Sequence, residues 1–205
     1  MDILSTFIFS ATGYLLGGLL FARYFSKLFC GKDVTVKGDD RNPGTYNAYT
    51  YGGFWCGALT LVCDLLKGFL PVFLYIHLAG GLRSIGLVLV MAAPILGHIF
   101  PIWHKFNGGK GIAVSFGILL GLAPNMLPVL TLAITYLFLS FVIKINPHFY
   151  RIILTYCLTV LIVIVSTPEL SVILGCMAVS AAVIIKHISV RDTDEKIQVK
   201  ALWKR

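Results

Sequence analysis

The chain has 205 residues, 58% of them hydrophobic and only 13% charged, with a mean hydropathy of +0.87 and a formal net charge of +8. A soluble domain carries about 25% charged residues, so this chain lacks the polar surface to cover itself and a membrane-embedded fold is expected. Such an excess of positive charge would suggest nucleic acid in a soluble protein. In an apolar chain it is a topology signal instead, because Lys and Arg collect in cytoplasmic loops.

Seven apolar segments follow one another, at about 4–24, 54–79, 83–102, 110–123, 126–144, 150–166 and 170–188. They predict an all-α integral membrane protein, one polytopic domain over residues 1–205 with about seven transmembrane helices. The first segment has no basic stretch before it and runs for about a full span, as expected of a retained helix rather than a cleaved signal. The second carries Asp64 and Lys67, three residues apart and so on one helix face. Each charge costs roughly 2.5 to 3.5 kcal/mol at the centre of a span, so such a pair faces the bundle interior. The fourth segment is short for a span of about 20 residues. Pro124-Asn125, Asn146-Pro147 and Thr167-Pro168 separate the last four segments. The five cysteines lack metal-ligand spacing and read as inert thiols, so no metal site is expected.

The cations separate by side. The cytoplasmic loops are expected at 25–53, 103–111 and 144–150, with the tail at 187–205. With seven spans, the 23–53 region, the turns after the third and fifth segments and the C-terminal region carry fifteen of the seventeen Lys and Arg. Arg83 stands on the other side and Lys67 inside a span. An odd number of spans keeps this separation, seven or, if the short segments pair as a re-entrant, five, and the bias then places the N-terminus outside and the C-terminus in the cytoplasm.

Three polar clusters fall on that cytoplasmic face. The first, KGDDRNPGTYNAYTYGG at 37–53, is dense in turn formers and hydrogen-bonding side chains. The second, FNGGKG at 106–111, stands just before an apolar run. Amides at a helix N-terminus attract anions, glycines allow close approach, and Lys110 adds a full charge. The spacing of a Walker phosphate loop is absent. The third, KHISVRDTDEK at 186–196, carries His187, a possible acid, base or donor. Gathered at one rim beside lipid, these clusters suit an anionic substrate from the cytosol and a hydrophobic one entering from the bilayer.

GHIFPIWHKFNGGKGIAVSFG, residues 97–117, resembles the second motif of the bacterial PlsY family, G-H-x-F/W-P-x-x-x-x-F-x-G-G-K-G-V-A. NPGTYNAYTYGG followed by DLLKGFLP resembles its first motif, S-G-N-P-G-A-T-N, with the D-x-x-K-G sequel. The resemblance implies a multi-span bacterial cell-membrane acyltransferase with its active site facing the cytoplasm. Its reaction moves a fatty acyl group from acyl phosphate to glycerol-3-phosphate, giving lysophosphatidic acid for phospholipid biosynthesis, without cofactor or metal. The partners implied are these two substrates and membrane lipids, not nucleic acid. Lys110, His187 and Arg41 are the candidate catalytic residues. Asn42, Gly44, Asn47, His98, Gly108, Gly109 and Gly111 are candidates for binding substrate phosphate, and Asp40, Asp64 and Lys67 for supporting the site.

The chain also departs from the family pattern. The family's serine falls on Asp40, its following glycine on Arg41, and the arginine after the motif on Thr50. In the third motif His187 matches, but the asparagine three residues on is Val190. A carboxylate about 5 Å from a phosphate repels it by several kcal/mol at low dielectric unless a cation intervenes. Arg41 is placed to be that cation. These departures keep two alternatives open: a non-catalytic or acceptor-switched paralogue using the same site, and a small anion transporter. A transporter of the usual kind shows repeated halves, which this sequence lacks.

Overall fold

A computed structural model describes residues 3–37, 41–190 and 198–201. Among the described residues, five stretches are long and apolar enough to cross a membrane: Ile3–Cys30, Phe54–Leu78, Gly86–His104, His148–Ser166 and Leu170–Ser189. Leu127–Val142 is a shorter apolar helix.

The first stretch is two helices, α1 (Ile3–Gly17) and α2 (Phe21–Cys30), rather than one span ending near residue 24. The Gly17-Gly18 pair explains the break, since glycine is a poor helix former. α2 ends at Gly31, whose left-handed φ of 66° returns its amide to the Lys27 carbonyl. The region expected as an open loop carries two further helices, α3 (Val34–Lys37) and α4 (Thr45–Gly52).

α5 (Phe54–Leu78) is the central element. α6 (Gly86–Ile99) follows, then a single 3-10 turn at Ile102–His104. α7 (Ile112–Leu120) has nine residues, a rise of about 14 Å. It lies directly on α5. An added Cβ at Gly68 would meet the Val114 carbonyl at 2.4 Å, and one at Gly117 the Leu65 carbonyl at 2.1 Å. Such backbone-to-backbone approach needs small residues on both helices, the usual device where lipid supplies no hydrophobic drive between helices.

α8 (Leu127–Leu137) ends in a π turn at Phe138–Val142, and β1 (Ile143–Asn146) leads into α9 (His148–Ser166) and α10 (Leu170–Ser189). β2 (Gln198–Ala201) pairs antiparallel with β1, Lys144 opposite Lys200. This two-stranded ribbon was absent from the all-α expectation, because two short strands far apart in sequence leave no local period. The buried core joins α5, α6, α7, α9 and α10 through Val72, Met91, Ile118, Tyr156 and Val179. Large apolar side chains such as Phe7, Leu89, Ile134 and Val165 point outward, as a lipid-facing surface requires.

Candidate active site

The site begins with a charge inside the bundle. Lys67 Nζ lies 2.7 Å from Asp64 Oδ1, and both side chains are 2% exposed. The two charges form a buried ion pair three residues apart on α5. The ammonium donates to the Leu19 carbonyl at 2.6 Å and to His98 Nδ1 at 2.9 Å. One lysine on α5 therefore ties together the α1–α2 break and the end of α6.

The second cluster folds back onto that end. Lys105 and Phe106 are both left-handed, with φ of 51° and 60°. The Gly108 amide then donates to the Ile99 carbonyl at 3.1 Å and the Gly109 amide to the His98 carbonyl at 3.0 Å. The reading of these two amides as anion donors is thereby revised: they close carbonyls at the C-terminal end of α6. Their lack of side chains has a steric cause. A Cβ at Gly108 would fall 1.9 Å from the His98 carbonyl oxygen, and one at Gly109 2.3 Å from His98 Nε2. Gly111, at φ 86°, lets the chain turn into α7. What this turn delivers to solvent is Lys110.

The first cluster sits opposite. Asn47 is buried and its Nδ2 donates to the Asn42 carbonyl at 2.9 Å. Gly44 packs against the Asn42 amide, where an added Cβ would be 2.7 Å from Nδ2. Arg41 is left-handed at φ 49°, at the position where the motif has glycine. Asp40 lies outside the described residues.

A cavity of about 700 Å³ opens between these parts. Arg41 and Asn42 come from the first cluster, Gly108 and Lys110 from the second, Lys186 and Val190 from the third. Arg23 of α2 completes a set of four cations, with no carboxylate among the described lining residues. The set suits multiply charged phosphate groups.

Arg23 is held from behind. Its Nε donates to Asp33 Oδ2 at 2.8 Å and its Nη1 to His104 Nδ1 at 3.1 Å. Asp33 in turn accepts from the Thr35 amide at 3.0 Å and the Thr35 hydroxyl at 2.8 Å. Burial alone raises the Asp33 carboxyl, but the hydrogen bonds from Thr35 and Arg23 and the Arg23 charge outweigh it, holding it below its usual range.

His187 is buried one step behind Lys186. Its Nδ1 donates to the Val183 carbonyl at 2.8 Å, so in the neutral ring Nε2 carries the lone pair. That nitrogen has no hydrogen-bond partner among the described residues. The His148 ring lies 6.1 Å away. Of the sequence candidates, Arg41, Asn42, Gly108 and Lys110 line the cavity. Gly44, Asn47, Gly109, Gly111, His98, Asp64 and Lys67 shape or support its walls. Arg23 and Lys186 are cavity residues that sequence reasoning had counted only as topology charges. Among the described residues, no group of three His, Cys, Asp or Glu stands ready for a metal.

The family model for glycerol-3-phosphate acyltransferase matches residues 7–192. The chain belongs to this family. A glycerol-3-phosphate acyltransferase of Cupriavidus taiwanensis is 41% identical over 140 residues, 67% of this chain and 68% of that protein. One from Azotobacter vinelandii is 44% identical over 114 residues, 54% of this chain and 57% of that protein. Two crystal structures of PlsY, an integral membrane glycerol 3-phosphate acyltransferase, share the fold. The glycerol 3-phosphate form superposes with a TM-score of 0.78 at 27% identity, and the lysophosphatidic acid form with 0.74 at 26%. Each comparison covers 90% of this chain and 89% of the other. Within the family frame, Val190 puts an apolar wall where the motif has an amide, and Thr50 is exposed on α4 and is not among the lining residues.

Proposed function

We propose that this protein transfers a fatty acyl group from acyl phosphate to the 1-hydroxyl of glycerol-3-phosphate. The cavity carries the reading: four cations converge on a space large enough for two phosphorylated groups. In the reaction the acyl–phosphate C–O bond breaks, an ester C–O bond forms, and inorganic phosphate leaves with the hydroxyl proton. Acyl phosphate is already activated, so the protein's part is positioning and charge stabilisation. Lys110 and Arg41 would hold phosphate, and His187 Nε2 would offer a buried acceptor behind them.

The proposed topology has seven crossings in a bacterial plasma membrane, N-terminus outside and cavity facing the cytoplasm. α7 and the turn after it would form the short fourth crossing. Two contacts support a shared face for the basic loops. Arg23 meets His104, and β1, just after α8, pairs with β2 of the C-terminal region. Reporter fusions at residue 205 and in the 80–84 turn should report opposite sides.

The assay is direct. Purified protein given palmitoyl phosphate and labelled glycerol-3-phosphate should form lysophosphatidic acid, and Lys110→Ala should lower turnover by at least about 100-fold. Turnover with another acceptor only would favour the acceptor-switched reading, for which Val190 at the cavity wall is the motivating observation. Binding without turnover would favour a non-catalytic paralogue.

A further inference from the structure

The motif places an arginine at Thr50, and this chain has none there. Arg23 offers a guanidinium from a different element. It lies in the first turn of α2, where a positive charge opposes the helix dipole and gains nothing locally. Its place makes sense only through tertiary partners. Asp33 takes Nε and His104 takes Nη1, while Nη2 has no hydrogen-bond partner among the described residues. The group is thus clamped on one side and lines the cavity on the other. Its side chain is 28% exposed, so solvent screens it less than the exposed Arg41. A planar fork held this way is suited to two parallel bonds to one phosphate.

The geometry points to Arg23 as the guanidinium that binds the phosphate of glycerol-3-phosphate in this chain, clamped by Asp33 and His104. This inference rests on the acyltransferase reading of the cavity but not on its turnover. Asp33 and His104 act as positioning residues, because they touch the guanidinium and not the ligand. Nothing in the motif comparison predicts this role, since α2 lies upstream of the first motif.

The test measures glycerol-3-phosphate and inorganic phosphate binding to purified wild type, Arg23→Ala, Arg23→Lys and Asp33→Asn, beside KM and kcat with acyl phosphate. Free glycerol serves as the phosphate-less control. Arg23→Ala should weaken glycerol-3-phosphate by at least about tenfold with kcat changed much less. Arg23→Lys, which keeps charge without the fork, should fall between. Where Arg23→Ala does not yield monodisperse protein, Arg23→Lys carries the comparison, with Asp33→Asn as the test of the clamp. Dissociation constants and KM within twofold of wild type in every folded Arg23 variant would overturn the role of Arg23 and leave the acyltransferase reading standing. Wild type that binds glycerol-3-phosphate through Arg23 yet forms no lysophosphatidic acid would do the reverse. Wild type that binds neither phosphate ligand would overturn both.

Discussion

The ammonium of Lys67 donates to the Leu19 carbonyl at 2.6 Å, across the break between α1 and α2. Without the break, that carbonyl would be closed by the helix itself. With it, a buried charge must supply the donor, and Asp64 must neutralise that charge. The same ammonium holds His98, which in turn packs under Gly109.

Lys67→Met should therefore strand the Asp64 carboxylate and the Leu19 carbonyl together. The expected loss is about 3–5 kcal/mol, the range for breaking a buried pair from one side. Thermal unfolding in detergent reads it. Asp64→Leu combined with Lys67→Met should be less harmful than Lys67→Met alone, because no unpaired carboxylate remains. Equal midpoints for Lys67→Met and wild type would remove the network from the structural account.

Gly109→Ala tests the packing of the second cluster. The new methyl would lie 2.3 Å from His98 Nε2, and Lys67 holds that ring from its other nitrogen. Overpacking of this kind costs about 1–3 kcal/mol, and displacement of Lys110 should lower kcat as well. Gly44→Ala is the comparison. Its methyl meets the Asn42 side-chain amide at 2.7 Å, which a rotamer change relieves. Equal effects from the two substitutions would argue against a rigid seat at Gly109.

Arg41→Gly should move stability and binding in opposite directions. A residue with a Cβ at φ 49° is strained by about 1–2 kcal/mol, and glycine removes that strain. The cavity also loses one of its four cations. A raised unfolding midpoint with a raised KM is expected. A variant that keeps full activity would show that Arg41 does not compensate for the departures at 40 and 50.

Asp33 predicts a pH dependence whose sign follows from its lowered pKa. A carboxyl held below its unfolded value, about 3.9, stabilises the fold above that value. The contribution is lost as pH falls through the lower, folded value. Asp33→Asn should therefore be less stable than wild type near neutral pH, by about 1–2 kcal/mol. The two unfolding midpoints should converge in strong acid. A difference that persists unchanged there would mean that the carboxylate charge is not what Asp33 contributes.

Much of the bundle was legible from apolar runs and their breakers. α5, α9 and α10 fall within a few residues of their sequence segments, because Gly53, Pro147 and the Thr167-Pro168 pair stop helices by local chemistry alone. The Gly17-Gly18 pair marks the α1–α2 break only weakly, since GYLLGGLLF is otherwise an unbroken apolar run and the Lys67 donor that makes an open carbonyl tolerable there comes from another element. The helices α3 and α4 lay hidden in a stretch whose composition resembles a loop.

The same division runs through the site. Sequence by itself determined the membrane class, the excess of cations outside the apolar runs and the motif that carries Lys110, because hydropathy, charge count and local spacing are properties of the chain. Only the tertiary structure decided which cations share a cavity. Arg23 and Lys186 lie 163 positions apart, and nothing local distinguishes them from snorkelling charges. It also decided why Gly108 and Gly109 are glycine. The spacing suggested donors for an anion, whereas the contacts show two amides closing the end of α6 and no room for a Cβ beside His98. Packing distances of this kind arise between elements, and no single segment encodes them.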